Sequence, residues 1–132
     1  MTQQCINPKA RKREKPGALS IITYNGKLVI SAIPELYDWC KEAVAKHCSP
    51  EWCFEAGTLI SIDRKLQEYG YEIDQVHIFF TPKFSISKLT KEIMKLGKVP
   101  FYGTSLSHLA SQNVALRAGL VPTFCELTTR KK

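Results

Sequence analysis

Hydroxyl and imidazole side chains are concentrated in one short stretch, PFYGTSLSHLASQNVALRAGLVP, which runs from Pro100 to Pro122. Several of its side chains can hydrogen-bond a ligand, among them Tyr102, Thr104, Ser107, His108 and Ser111. The imidazole of His108 can also act as a proton carrier. We therefore interpret these five residues as a candidate binding site.

Each of these residues also has a purely structural interpretation. Ser107 can be the N-cap of a helix, because a serine oxygen accepts a bond from a backbone N–H of the first turn. His108 can cap the same helix or face solvent, and Ser111 can belong to an ordinary helix face. Tyr102 is expected to pack rather than to react.

Residues of catalytic type elsewhere in the chain show no partner pattern. Glu126 is interpreted as a strand residue rather than a base, and His47 and His77 as structural or exposed residues. The chain has five cysteines, which are Cys5, Cys40, Cys48, Cys53 and Cys125. They form no C-x-x-C pair, and Cys48 and Cys53 beside His47 match no common zinc spacing. We expect no metal site, and free, mostly buried thiols in a reducing compartment.

Most of the net charge of +7 lies in two tails. The basic residues of the tails are Lys9, Arg11, Lys12, Arg13 and Lys15 at one end and Arg130, Lys131 and Lys132 at the other. Between the tails the charges nearly balance, and no nucleic-acid module or run of interleaved aromatic residues is present. Dedicated nucleic-acid binding is therefore not expected.

A chain of 132 residues with 44% hydrophobic residues fits one domain with a modest core. No apolar run reaches the length that spans a bilayer, and the basic N-terminal segment is not followed by the apolar segment of a secretory signal. These features predict a cytoplasmic protein without a membrane partner.

The elements that must position the candidate site follow from hydrophobic periodicity. Asn25-Gly26 between two β-rich runs predicts a hairpin, because both turn residues need positive φ. Helices are predicted to start at Pro34 and at Ser49-Pro50-Glu51, with Gly57 weakening the second. A buried strand is predicted at DQVHIFF, up to Pro82.

The second half alternates helix and strand. A helix capped by Ser85 or Ser87 and stopped by Gly97 precedes a short strand over 99–104. A helix stopped by Gly119 and a last strand, LVPTFCELTT, follow. This order predicts an α/β domain, with α+β content around a mixed sheet. The sequence predicts three segments: a disordered basic tail over 1–16, an N-terminal α/β portion over 17–82 and a C-terminal portion over 83–129. The last two are expected to pack as one domain.

The C-terminal portion resembles the catalytic half of GNAT N-acetyltransferases over about residues 88–127. The similarity lies in the strand, the polar elbow, a helix ending in Ala118-Gly119, and the strand VPTFCEL. The resemblance implies that the first strand splays from its neighbour and that acyl-CoA enters the gap. It also implies that Tyr102, Thr104, Ser107, His108 and Ser111 contact acetyl-CoA, the acyl donor, and that the acceptor is an amine.

The chain departs from that family at its most specific phosphate contacts. GNAT enzymes bind the CoA pyrophosphate with a glycine-rich loop at a helix start, and no two glycines here are closer than six residues. His108 stands at the usual asparagine of the elbow and Ala115 at the tyrosine that serves as general acid in many members. The resemblance therefore implies an abbreviated GNAT-like fold whose catalytic residues are unknown.

Three interpretations follow from this combination of features. The first is a truncated, weak acyltransferase that moves an acetyl group from acetyl-CoA to an amine. The second is a non-catalytic GNAT-like remnant that acts as a binding module. The third is an interaction protein whose basic tails contact an acidic partner. A homodimer is an open alternative, since absent central strands would leave apolar surface uncovered.

Overall fold

The structure is a computed structural model that describes residues 17–46, 49–50, 53–82 and 88–132. Several residues named above lie outside these ranges: the tail 1–16 with Cys5, and His47, Cys48, Glu51, Ser85 and Ser87. The predictions for the tail, for the zinc spacing and for the cap near residue 85 therefore concern residues that the structure does not describe.

A five-stranded sheet and four α-helices form the described part of the chain, which confirms the α/β fold class with α+β content. The strands are β1 (Leu19–Tyr24), β2 (Lys27–Ala32), β3 (Tyr71–Pro82), β4 (Tyr102–Ser105) and β5 (Leu120–Lys131). The helices are α1 (Pro34–Trp39), α2 (Ala56–Gln67), α3 (Lys88–Lys95) and α4 (Leu109–Arg117). A π-helical segment, Cys40–Ala45, continues α1.

The strand order in the sheet is β2-β1-β5-β3-β4, and each pair of neighbours is antiparallel. Because β4 and β5 both run antiparallel to β3, they are parallel to each other with β3 between them. Helix α4 makes the connection from β4 to β5. The last strand thus lies between β1 and β3, so both halves of the sequence contribute strands to one sheet.

The turn and helix signals at the start of the chain are confirmed. Asn25 and Gly26 have φ of 48° and 69°, as a type I′ hairpin requires. Pro34 is the first residue of α1, where a missing N–H leaves no bond unmade. The second helix differs from its prediction: α2 begins at Ala56 with Glu55 as N-cap, rather than at Ser49. Gly57 therefore lies in its first turn, where it is easily tolerated.

The core lies between one face of the sheet and the helices of the first half. Ile21 on β1 pairs with Leu127 on β5, and Leu127 pairs with Val76 on β3, which makes an apolar row across the sheet. This row packs with buried side chains of the helical region, which are Leu36, Cys40, Val44, Cys53, Ile62 and Leu66. Trp39 and Phe54 are partly buried and pack against this cluster.

The strand predicted over 99–104 is found at Tyr102–Ser105, and it does not splay away from its neighbour β3. Val99 and Phe101 are 70% and 67% exposed, and β4 begins only at Tyr102. From His77 to Phe80, each residue of β3 pairs with one residue of β4. No gap therefore opens between these two strands, and the expected cleft for an acyl-CoA arm is not formed there. The outer edge of β4 is instead the end of the sheet.

Candidate functional site

The candidate site lies where β4 ends and α4 begins, at one edge of the sheet. A backbone bond of 2.9 Å from the Leu106 amide to the Val76 carbonyl fixes this elbow to β3. The His108 amide donates to the Ser105 carbonyl at 3.0 Å, which closes a tight turn. The elbow is therefore held by backbone hydrogen bonds on both sides, and its side chains project from a defined frame.

Two side-chain hydrogen bonds organise the polar residues of the elbow. The Oγ atoms of Ser105 and Ser107 are 3.0 Å apart. One residue further, His108 Nδ1 lies 3.1 Å from Ser111 Oγ. Three of the predicted residues, Ser107, His108 and Ser111, thus come together, and Ser105 joins them. We call these four residues the elbow cluster.

The amide of Gln112 braces the elbow from within α4. Its Nε2 donates to the Leu106 carbonyl at 2.7 Å and reaches the Ser105 carbonyl at 3.3 Å. The Leu106 carbonyl follows the end of the strand ladder and would depend on water without Gln112, whereas the Ser105 carbonyl also accepts from the His108 amide. The sequence indicated Gln112 only as one of several polar residues on a helix face; its bracing role depends on the bend of the elbow.

Tyr102 and Thr104 lie apart from the elbow cluster. Successive side chains of a strand point to opposite faces, so Tyr102 and Thr104 share one face of β4 while Ser105 lies on the other. Thr104 pairs with Ile78 and is only 7% exposed. The five predicted residues therefore do not form one site: two belong to the strand and three to the elbow.

Helix α4 starts one residue later than the capping interpretation of Ser107 predicts. His108 occupies the N-cap position, but its side chain makes no cap bond and turns instead to Ser111. Ser107 is thus not the N-cap. Ala115 stands where many GNAT enzymes have a general-acid tyrosine. It is 2% exposed, so its side chain is packed in the interior. A general acid cannot come from that residue.

Two of the described thiols, those of Cys40 and Cys125, are not activated nucleophiles. Burial raises the pKa of Cys40 and of Cys125 above the usual range of a cysteine. The thiolate is the reactive form, so a raised pKa keeps both side chains protonated and inert at neutral pH. Within the described ranges, no three His, Cys, Asp or Glu side chains are grouped so that they could hold a metal ion.

No helix in the described part of the chain combines the length and apolar character needed to cross a bilayer. Comparison of the chain with protein-family models, with curated proteins and with solved structures found no match.

Proposed function

We propose that this chain is an abbreviated GNAT-like acyltransferase that transfers an acetyl group from acetyl-CoA to an amine. The observation that carries the proposal is the elbow cluster, in which Ser105, Ser107, His108 and Ser111 meet at the carboxyl end of an edge strand and the start of a helix. Helix N-termini and hydroxyl groups are suited to polar and anionic ligand groups.

The open edge of β4 is the natural place for the pantetheine arm of the donor. That arm carries amide groups, and an edge strand presents backbone N–H and C=O groups that its sheet does not use. The arm would then run along β4 and bring the thioester to the elbow cluster. In this arrangement the donor lies along a sheet edge and not in a gap between two splayed strands, so the protein contacts it from one side only.

The affinity for acetyl-CoA should be low. The glycine-rich loop that binds the pyrophosphate in the family is absent from the sequence, and with it go several backbone N–H contacts to phosphate oxygens. We expect a dissociation constant on the order of 1 mM, equivalent to about −4 kcal/mol. Binding at this level still stabilises the native state measurably at high ligand concentration.

Calorimetric titration and thermal unfolding with acetyl-CoA test the proposal. At about ten times the dissociation constant, a ligand of the native state adds about 1.4 kcal/mol of stability. Ser111→Ala should weaken this effect, whereas Asn113→Ala, an exposed change on the same helix, should not. Absence of both heat and stabilisation at about 10 mM acetyl-CoA would overturn the acyltransferase proposal.

A second candidate, a non-catalytic binding module, is favoured by exposed apolar side chains around the same strand. Among the described residues, eight of the thirteen exposed large apolar side chains lie between Met94 and Leu116. Leu96 and Val99 are 72% and 70% exposed. Two results together would favour this function. The sedimentation coefficient should rise with protein concentration, which indicates self-association, and the double variant Leu96→Ser with Val99→Ser should abolish that rise. The wild-type protein should also show no response to acetyl-CoA.

A further inference from the structure

Three polar side chains lie side by side across neighbouring strands. His77 on β3 pairs with Glu126 on β5 and, on its other side, with Ser105 on β4. Directly paired residues project from the same face of a sheet with their Cβ atoms about 4.5–5.5 Å apart. A carboxylate, an imidazole and a hydroxyl therefore form a row, which we call the Glu126–His77–Ser105 row.

The row runs into the elbow cluster. Its third member, Ser105, has its Oγ atom 3.0 Å from the Oγ atom of Ser107. Ser105 is exposed while His77 and Glu126 are half-buried, so the row is accessible at the elbow and increasingly shielded towards the middle of the sheet. The imidazole also packs edge-on against the ring of Phe79, with the ring centroids 6.1 Å apart. Its position next to the elbow is therefore fixed by packing as well as by register.

We propose that His77 is the general base of the acyl transfer and that Glu126 is its positioning residue. This inference rests on the proposed function and assigns the base to a residue outside the elbow cluster. A carboxylate beside an imidazole holds it in one tautomer and stabilises the imidazolium formed during the reaction. Ser105 lies at the open end of the row, between His77 and the elbow cluster where an acceptor would bind.

The reaction step balances without a further reactant. The lone pair of the neutral amine attacks the thioester carbonyl carbon, a C–N bond forms, and the C–S bond breaks with its electron pair going to sulfur. CoA leaves as the thiolate. The proton that the attacking nitrogen loses passes to an imidazole nitrogen of His77, and from the imidazolium to solvent. The oxidation states do not change, so no redox partner is needed.

Ionisable neighbours of His77 on the two flanking strands are few. The positions directly or diagonally opposite it within these strands are Gly103, Ser105, Phe124, Glu126 and Thr128. Of these five residues only Glu126 carries a charge. Among these positions, Glu126 is therefore the only one at which a substitution changes the charge beside His77.

Steady-state kinetics with acetyl-CoA and a panel of primary amines test the assignment. His77→Gln should lower kcat about 10²-fold or more, the usual contribution of a general base, while acetyl-CoA affinity by calorimetry stays within about twofold. Glu126→Gln should lower kcat by about tenfold with KM for acetyl-CoA unchanged, and Glu126→Asp should restore part of the loss. Gln75→Ala, two residues along the same strand, is the matched control and should keep the full rate.

The outcomes separate this inference from the proposed function. If the wild-type protein binds acetyl-CoA and turns over while His77→Gln keeps kcat within about threefold, the base assignment is wrong and the acyltransferase proposal stands. If the wild-type protein neither binds nor turns over, both are overturned. Nitrogen NMR of the His77 ring is independent of activity: Glu126→Gln should change its tautomer signature, and an unchanged spectrum would overturn the positioning role of Glu126.

Discussion

The ring of Phe79 lies directly over the backbone of Gly103, its neighbour on β4. A Cβ atom at residue 103 would stand 2.5 Å from Cε1 of that ring. The ring cannot retreat easily, because it stacks on Phe124 at 4.5 Å between centroids and also contacts Phe101 at 5.9 Å. A glycine on the edge strand thus lets the ring of Phe79 on β3 pack with Phe124 on β5 and with Phe101, which directly precedes β4.

Gly103→Ala should therefore destabilise the protein. The added methyl group forces either the ring or the edge strand to move, and overpacking of this kind costs about 1–3 kcal/mol. Urea unfolding of the variant measures the loss. Gly57→Ala is the matched control, because nothing lies within 4 Å of a Cβ atom there. That change replaces glycine within a helix and should be neutral or stabilising by up to about 1 kcal/mol.

Thr129→Val should weaken the junction between β1 and β5. The Thr129 hydroxyl accepts a bond from the Leu19 amide at 3.0 Å and donates one to the Leu19 carbonyl at 2.9 Å. Valine keeps the shape but leaves both buried backbone groups without these bonds, which should cost about 1–3 kcal/mol. Chemical denaturation gives the value, and Ser31→Ala at an exposed strand position should stay within about 0.5 kcal/mol of wild type.

Asp63 should make the stability of the protein depend on pH in the acid range. The amide of Ile73 donates to its Oδ1 at 3.0 Å, and this bond holds the pKa of Asp63 below its usual range. Because the folded pKa is the lower one, the stabilisation is complete above about pH 4, the ordinary pKa of aspartate, and is lost as the pH falls through the folded value.

The check on Asp63 is a series of urea midpoints between about pH 2 and pH 6 for wild type and Asp63→Asn. The variant should be less stable at pH 6, and the difference should shrink as the pH falls. A constant difference across the series would mean that the carboxylate charge contributes nothing to this contact.

Gln112→Ala should loosen the elbow without unfolding the sheet. The variant removes the side-chain donor to the Leu106 carbonyl and a second, longer contact to the Ser105 carbonyl, at a cost of about 1 kcal/mol. If the elbow cluster binds acetyl-CoA, the heat of binding should fall as well. Asn113→Ala changes an exposed neighbour on α4 and should leave both quantities unchanged.

Local features of the fold were predictable from the sequence because they depend on single residues. Positive φ at Asn25 and Gly26, the helix start at Pro34, and positive φ at the three helix-ending glycines are all fixed by local sterics. The glycines are Gly70, Gly97 and Gly119. The fold class followed from the alternation of such elements.

Relationships between distant strands could not be predicted in the same way. Nothing in the stretch around His77 indicates that Glu126 and Ser105 will flank it, because that follows from the position of β5 between β1 and β3. The separation of Tyr102 and Thr104 from the elbow cluster likewise depends on the actual start of β4. Hydrophobic periodicity indicates which face of each strand is buried, and so limits its register, but it does not indicate which strands become neighbours.

The central place of β5 has a kinetic consequence. Leu19 meets Thr129 across 110 residues of sequence, so β1 and its hairpin are synthesised long before their partner strand is available. Until then β1 and β3 each present an unpaired edge, and strand pairing over such distances is slow because the closure entropy comes first. During synthesis, the half-made sheet would depend on protection from aggregation until the last strand inserts between the two halves.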